Sequence, residues 1–233
     1  MKYAIIQSLV VLVLMSSCIQ ESQNKSNTNE NDISEIYLGP IIDMHIHAYT
    51  QNGGMFGLTH PPTLRGETFK GVKNIDEHQK ATIAKLREHN IVKAVVTNGQ
   101  EWYKEIPEIV LVADSDEEPT LLREKYNSGK LKVIAEMAPF YAGILADHPS
   151  QMPYFELAEE LDIPVGFHMF PGGPNYGFHL MPEMLGGMRV YNANPIQLEN
   201  VLVKYPNLKI YIMHGAWPYL EDLKAMMYAH PNV

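Results

Sequence analysis

The sequence predicts an α/β chain folded as a parallel (β/α)8-type barrel, incomplete, with about six strand–helix units present. Two observations carry that expectation. From Gly39 onward short apolar runs alternate with helix-like stretches, the pattern of a parallel sheet joined by right-handed crossovers. In addition, His47, Glu136, His168 and His214 fall at or near the C-terminal ends of four separate predicted strands, the end at which barrels assemble their chemistry. A doubly wound open sheet is the alternative, and the second observation favours the barrel.

The elements follow in order. Ile41 to His47 is the first strand, apolar at Ile41-Ile42 and then alternating through Asp43-Met44-His45-Ile46-His47. Alternate strand residues share a face, so Asp43, His45 and His47 point one way. Asn74 to His89 reads as a helix, with Ile75, Ala81, Ile83, Ala84 and Leu86 apolar among charged neighbours. Ile91 to Thr97 is a β-branched strand closed by the turn pair Asn98-Gly99. Glu108 to Ala113 is the third strand, and Leu131 to Met137 the fourth, after a Ser128-Gly129 turn. Pro153 to Leu161 is helical and Ile163 to Met169 is the fifth strand. Pro195 to Tyr205 is helical, Leu208 to Met213 is the sixth strand, and Tyr219 to Ala229 is the last helix.

The residues before this region have a different character. Met1-Lys2, the apolar stretch Ala4 to Met15 and the small residues Ser16-Ser17 lead to Cys18, the single cysteine of the chain. The apolar run is too short to span about 30 Å of hydrocarbon and matches the core of a secretory signal. Leu14-Met15-Ser16-Ser17-Cys18 resembles a bacterial lipoprotein signal. That resemblance implies a signal peptide over 1–17, lipidation of Cys18, and export to the bacterial cell envelope with a lipid anchor in one of its membranes. Residues 18–36, rich in Asn, Ser, Gln and Glu, cannot bury enough surface to offset their ordering entropy and read as a flexible tether. The folded part is expected over 37–233.

A net charge of -9 and the lack of any basic run exclude a nucleic-acid-binding patch, which needs clustered Lys and Arg. A lone cysteine excludes a disulfide framework. Among the ten histidines, His60, His78, His89, His148 and His230 sit in polar or turn contexts and read as solvated surface.

The remaining histidines carry the chemistry. His45 and His47 lie about 7 Å apart on one strand face, close enough to share a divalent ion. His168 follows an apolar strand and precedes Pro171-Gly172-Gly173. His214 follows another and precedes Gly215-Ala216. One histidine at a strand end is weak evidence of a ligand, but four converging on one mouth are strong evidence.

With Asp-x-His-x-His on strand one, His on strand five and His-Gly on strand six, the chain from about Ile41 to Val233 resembles the amidohydrolase superfamily. The likeness is to its amidohydrolase-related branch of aminocarboxymuconate-semialdehyde decarboxylase-like enzymes. The resemblance implies a TIM-barrel fold in which His45, His47 and His168 bind a divalent metal, most simply zinc for so histidine-rich a set. It places His214 beside the metal as a ligand or a group that polarises substrate. Glu136 occupies the place of a fourth-strand carboxylate that ligates or bridges metals, or it holds a histidine by a hydrogen bond. The implied reaction is hydrolysis of a C–N or C–O bond of a small carbonyl substrate by metal-activated water. Arg189 could take a substrate carboxylate bidentately, and Trp217 and the Gly172-Gly173-Pro174 loop, with Tyr176, Phe178 or His179 nearby, could shape the pocket.

The family pattern also calls for an aspartate at the end of strand eight as general base, and no residue here supplies it; Asp43 lies too deep on strand one. Six strands are countable before Val233, where a seventh is expected to begin, so the chain reads as truncated before strands seven and eight. Unpaired apolar edges on strands one and six would then favour poor solubility or a homo-oligomer. Three other readings share the site: a non-hydrolytic decarboxylase, a catalytically dead metal-binding remnant, and a phosphoesterase of the polymerase-and-histidinol-phosphatase type. The last is disfavoured by His214-Gly215 and by the lack of phosphate-binding basic residues.

Overall fold

Six strands lie side by side in chain order, all parallel. In the computed structural model, residues 37, 39–52, 56–57, 59, 66–68, 70–170 and 187–233 are described. The signal segment, Cys18, the tether, His60, the Gly172-Gly173-Pro174 loop, Tyr176, Phe178 and His179 lie outside the described residues. The part from Gly39 to Val233 is one compact unit.

Strands β1 (Ile41–His47), β2 (Ile91–Thr97) and β3 (Val110–Ala113) form one three-stranded sheet, and β4 (Ile134–Met137), β5 (Val165–His168) and β6 (Ile210–Met213) form another. A parallel bridge between Ala113 and Val133 joins them. The Lys132 amide donates to the Val112 carbonyl at 2.9 Å and the Asp114 amide to the Val133 carbonyl at 3.3 Å. Val95 of β2, Ala113 of β3, Val133 and Ala135 at β4 and Met213 of β6 share one buried cluster. Side chains from the second and sixth strands meet only if the sheet curls. Among the described residues no pairing joins β1 to β6, so the barrel is incomplete, as the sequence predicts.

Strand alternation places the other apolar residues on the convex side. Ala94 and Val96, the neighbours of inward-facing Val95, pack with Ile83 and Leu86 of α1 (Ile75–Glu88) and with Trp102 of α2 (Gln100–Glu105). A larger cluster on the other half unites Leu122 of α3 (Pro119–Asn127), Phe155 of α4 (Met152–Leu161), Leu202 of α5 (Glu199–Lys204) and Met226 of α6 (Leu220–Ala229) with Val165, Phe167 and Ile210.

Asn74 caps α1, its side chain accepting from the Glu77 amide at 2.9 Å. Asn98 takes φ 57° in the Asn98-Gly99 turn, a conformation asparagine tolerates. The sequence reading departs from the structure in three places. Helices α2 and α3 were not anticipated. The stretch Pro195 to Tyr205 is split, with a 3-10 turn over Pro195–Leu198 before α5. Here the Asn194 side chain accepts from the Ile196 amide at 2.9 Å and tightens the first turn. Strands β3 to β6 are four residues each, while flanking Leu131, Val133, Ile163 and Leu208 are buried beside them. Strand β1 is partly exposed, Ile42 at 57% and Met44 at 40%, and it is paired on one side only among the described residues.

The residues around Asn232 run beside β6: the Ile210 amide donates to the Asn232 carbonyl at 3.0 Å.

Candidate metal centre

Glu136, next to last in β4, sits amid four imidazoles supplied by β1, β5 and the turn after β6. Its Oε1 faces His168 Nδ1 in a close hydrogen bond and His214 Nε2 at 3.5 Å. Its Oε2 faces His47 Nε2 at 3.3 Å and His45 Nε2 at 3.6 Å. His214 Nε2 also lies 3.2 Å from His168 Nδ1. The rings of His45 and His47 stand edge-on with centroids 4.6 Å apart. His45, Glu136 and His214 each offer a ligand atom within 4.8 Å of the others. The structure thus gathers all five sequence-predicted residues at the C-terminal rim.

Local structure explains how each is held. The ladder of β1 on β2 breaks register between Asp43 and Ile46. There the Asp43 carboxylate accepts from the His45 amide at 3.0 Å, which sets the backbone from which His45 projects. His168 is enclosed, its ring stacked on Phe140 at 5.0 Å. Its Nε2 lies 3.1 Å from the Phe170 carbonyl and 3.4 Å from the Tyr141 hydroxyl. A carbonyl can only accept, so the bond to Phe170 needs a proton on Nε2, while Nδ1 faces Glu136 Oε1. His214 starts the tight turn His214–Ala216, where Gly215 has φ 58°.

Burial would raise the Glu136 carboxyl, but hydrogen bonds from His168 and His214 and the charge of His168 and His45 overcome it. The group is held far below the usual carboxylate range. Burial lowers His45; Glu136 opposes the shift, while His47, His214 and His168 reinforce it. A carboxylate held ionised beside His45, whose protonation burial disfavours, is a donor pair suited to a divalent cation. His45 Nδ1 is also buried with no hydrogen-bond partner among the described residues. The residues therefore fit a metal.

Arg189 precedes a 3-10 turn over Val190–Ala193 and donates from Nη1 to the Met188 carbonyl at 2.8 Å. Trp217 is 55% exposed, so it is not a core aromatic. Two histidines read as surface are not. His78 packs against Tyr49, Phe56 and Trp102, with ring centroids 5.2, 6.1 and 5.5 Å away, and burial lowers its pKa, with His47 adding to the shift. The His230 Nε2 is buried and stands 3.7 Å from a Glu199 oxygen. His89 and His148 are exposed as expected. Strand-end position alone does not mark Tyr141, which lies four residues beyond the fourth strand in the turn Pro139–Ala142.

A curled parallel sheet carrying this histidine and glutamate group defines a barrel protein with a metal-binding rim. The family model described as amidohydrolase matches residues 42–233, and the chain belongs to that family. No curated protein matches the sequence. Among solved structures, the chain is similar to an uncharacterized TIM-barrel protein from Bordetella bronchiseptica. The two share 16% identity, with 66% of this chain and 57% of that one covered, at a TM-score of 0.50. It is also similar to a probable 2-pyrone-4,6-dicarboxylic acid hydrolase from Acinetobacter baumannii (15% identity, 79% and 65% covered, TM-score 0.47). A third is a 5-carboxyvanillate decarboxylase from Novosphingobium aromaticivorans complexed with manganese (17%, 64% and 53%, TM-score 0.41). The chain spans between 53% and 65% of the length of these three.

Proposed function

We propose that this chain is part of a metal-dependent hydrolase that cleaves a C–N or C–O bond of a small carbonyl substrate, with zinc as the metal. The observation that supports this reading best is the convergence of four imidazoles on the half-buried, ionised Glu136. His45, His47, His168 and Glu136 hold the cation. The chemistry a divalent cation supplies in such a site is Lewis acidity, which brings the ionisation of water near neutral pH. His214 stands at the partly exposed side of the group, its side chain 31% accessible. It hydrogen-bonds the substrate carbonyl and polarises it. Arg189 and Trp217 border the approach of substrate. The Leu14-to-Cys18 motif supports lipid attachment of the chain at a bacterial envelope membrane through Cys18. Labelled-lipid incorporation that is lost in Cys18→Ala tests that attachment.

The test strips the full chain of metal, reloads it with zinc or manganese, and assays amides, lactones and esters beside carboxylated aromatics in 18O-labelled water. Metal-dependent turnover with 18O in the acid product is expected. His214→Asn should lower kcat about 100-fold, the lower range for loss of a positioned polar group, while one metal still binds. Carbon dioxide release without water uptake would make the protein a decarboxylase. Failure to bind metal, or binding with no turnover of either class, would reject both.

A further inference from the structure

A cavity of about 400 Å3 opens beside the metal group, between the ends of β3 and β4 and the start of α4. Its volume falls in the range of small-molecule sites. Its polar wall comes from Ser115, Asp116, Glu136, Tyr141, Gln151 and Tyr154. Two of these tie it to the metal group. Glu136 is the shared carboxylate, and the Tyr141 hydroxyl lies 3.4 Å from His168 Nε2.

The wall has a definite electrostatic sense. Among the described residues it includes no lysine, arginine or histidine. The Lys125 ammonium, which is not part of the wall, pairs with Asp114 Oδ2 at 2.6 Å and Glu117 Oε1 at 3.1 Å. The Ser115 hydroxyl donates to the Glu136 carbonyl at 2.6 Å, which leaves its lone pairs for a ligand. Asp116 is exposed, and its carboxylate takes part in no ion pair among the described residues. Burial, then Glu118 and Asp116, push the Tyr154 hydroxyl up, so the field there is negative. With the Asp116 and Glu136 carboxylates in its wall and no basic side chain there, the cavity repels a carboxylate and attracts a cation.

We propose that this cavity is the substrate-substituent subsite of the metal centre, that it takes a group bearing a positively charged nitrogen in preference to a carboxylate, and that Asp116 determines this choice. The proposal rests on the reading of the histidine group as a catalytic centre. It names the class of substrate: an amide, lactone or ester carrying an ammonium or similar cationic substituent.

The test is a binding measurement that needs no turnover. Benzylammonium and benzoate are titrated calorimetrically into the full chain, metal-free and zinc-loaded, at pH 7.5. The metal-free arm isolates the cavity, because a carboxylate could otherwise ligate zinc. Benzylammonium should bind about tenfold more tightly than benzoate to metal-free protein, the discrimination that one nearby charge provides. Asp116→Asn should weaken benzylammonium about threefold and tighten benzoate about threefold, which removes most of the discrimination. Benzylammonium binding no tighter than benzoate, no detectable binding of either, or insensitivity to Asp116→Asn overturns the proposal. A catalytic centre that fails its own metal-dependent assay while Asp116 still discriminates the probes would reject the hydrolase reading and leave a cation-binding cavity.

Discussion

Glu136 concentrates the electrostatics of the site in one side chain. Both of its oxygens face imidazole nitrogens, so substitution by the isosteric amide removes charge without opening space. Glu136→Gln should weaken zinc binding roughly 10- to 100-fold, as loss of a carboxylate at a metal site does, measured by competition with a chelator. Acid should destabilise the metal-free protein for two reasons of one sign. Burial keeps folded His45 neutral below its ordinary value of 6.5, so as pH falls through about 6.5 the unfolded chain takes up a proton that the fold does not. Glu136 is ionised in the fold well below the ordinary carboxylate range. Its stabilisation is present above the unfolded carboxylate's pKa and declines as pH falls below it towards the depressed folded value. The urea midpoint should therefore drop from pH 8 to pH 4, and His45→Gln should flatten the upper part of that decline.

At the level of elements, β5 and β6 are matched through Gly166 and Tyr211. A Cβ on Gly166 would stand 2.3 Å from the Tyr211 hydroxyl, 2.4 Å from its Cζ and 2.8 Å from Ala135 Cβ, so the glycine makes room for the ring inside the curl. Gly166→Ala should cost roughly 1–3 kcal/mol by overpacking. The Tyr211 hydroxyl is buried with no hydrogen-bond partner among the described residues, and burial, with Glu136, raises its pKa above the usual phenol range. Tyr211→Phe should therefore be neutral or stabilising in urea denaturation. The sequence announced the strands well because β-branched runs such as Ile91 to Thr97 and small-residue turns after His168 and His214 punctuate them. It hid α2 and α3 because a six-residue helix shows less than two turns of periodicity, and α3 opens on Pro119 with a single buried residue, Leu122. The residues that gather around Glu136 were legible because strand-end position is a one-dimensional property. The Asp43 bond to the His45 amide and the pairing of Phe140 with His168 were not, since both depend on where the chain goes in space.

Across the whole molecule, the two halves of the curl differ in shelter. The half formed by β4, β5 and β6 has the larger core, and it supplies Glu136, His168 and His214, whereas His45 and His47 ride on β1, with exposed Ile42 and Met44 between or beside them. An exposed strand edge is where local opening costs least. A cation gripped from both halves would act as a rivet, fastening a loose outer stave to the firm side of the cask. Chelation should then accelerate amide hydrogen exchange in residues 41–47 while leaving 165–168 and 210–213 unchanged. Equal acceleration in all three would show that the ion braces the molecule evenly and that the first stave has no special dependence on it.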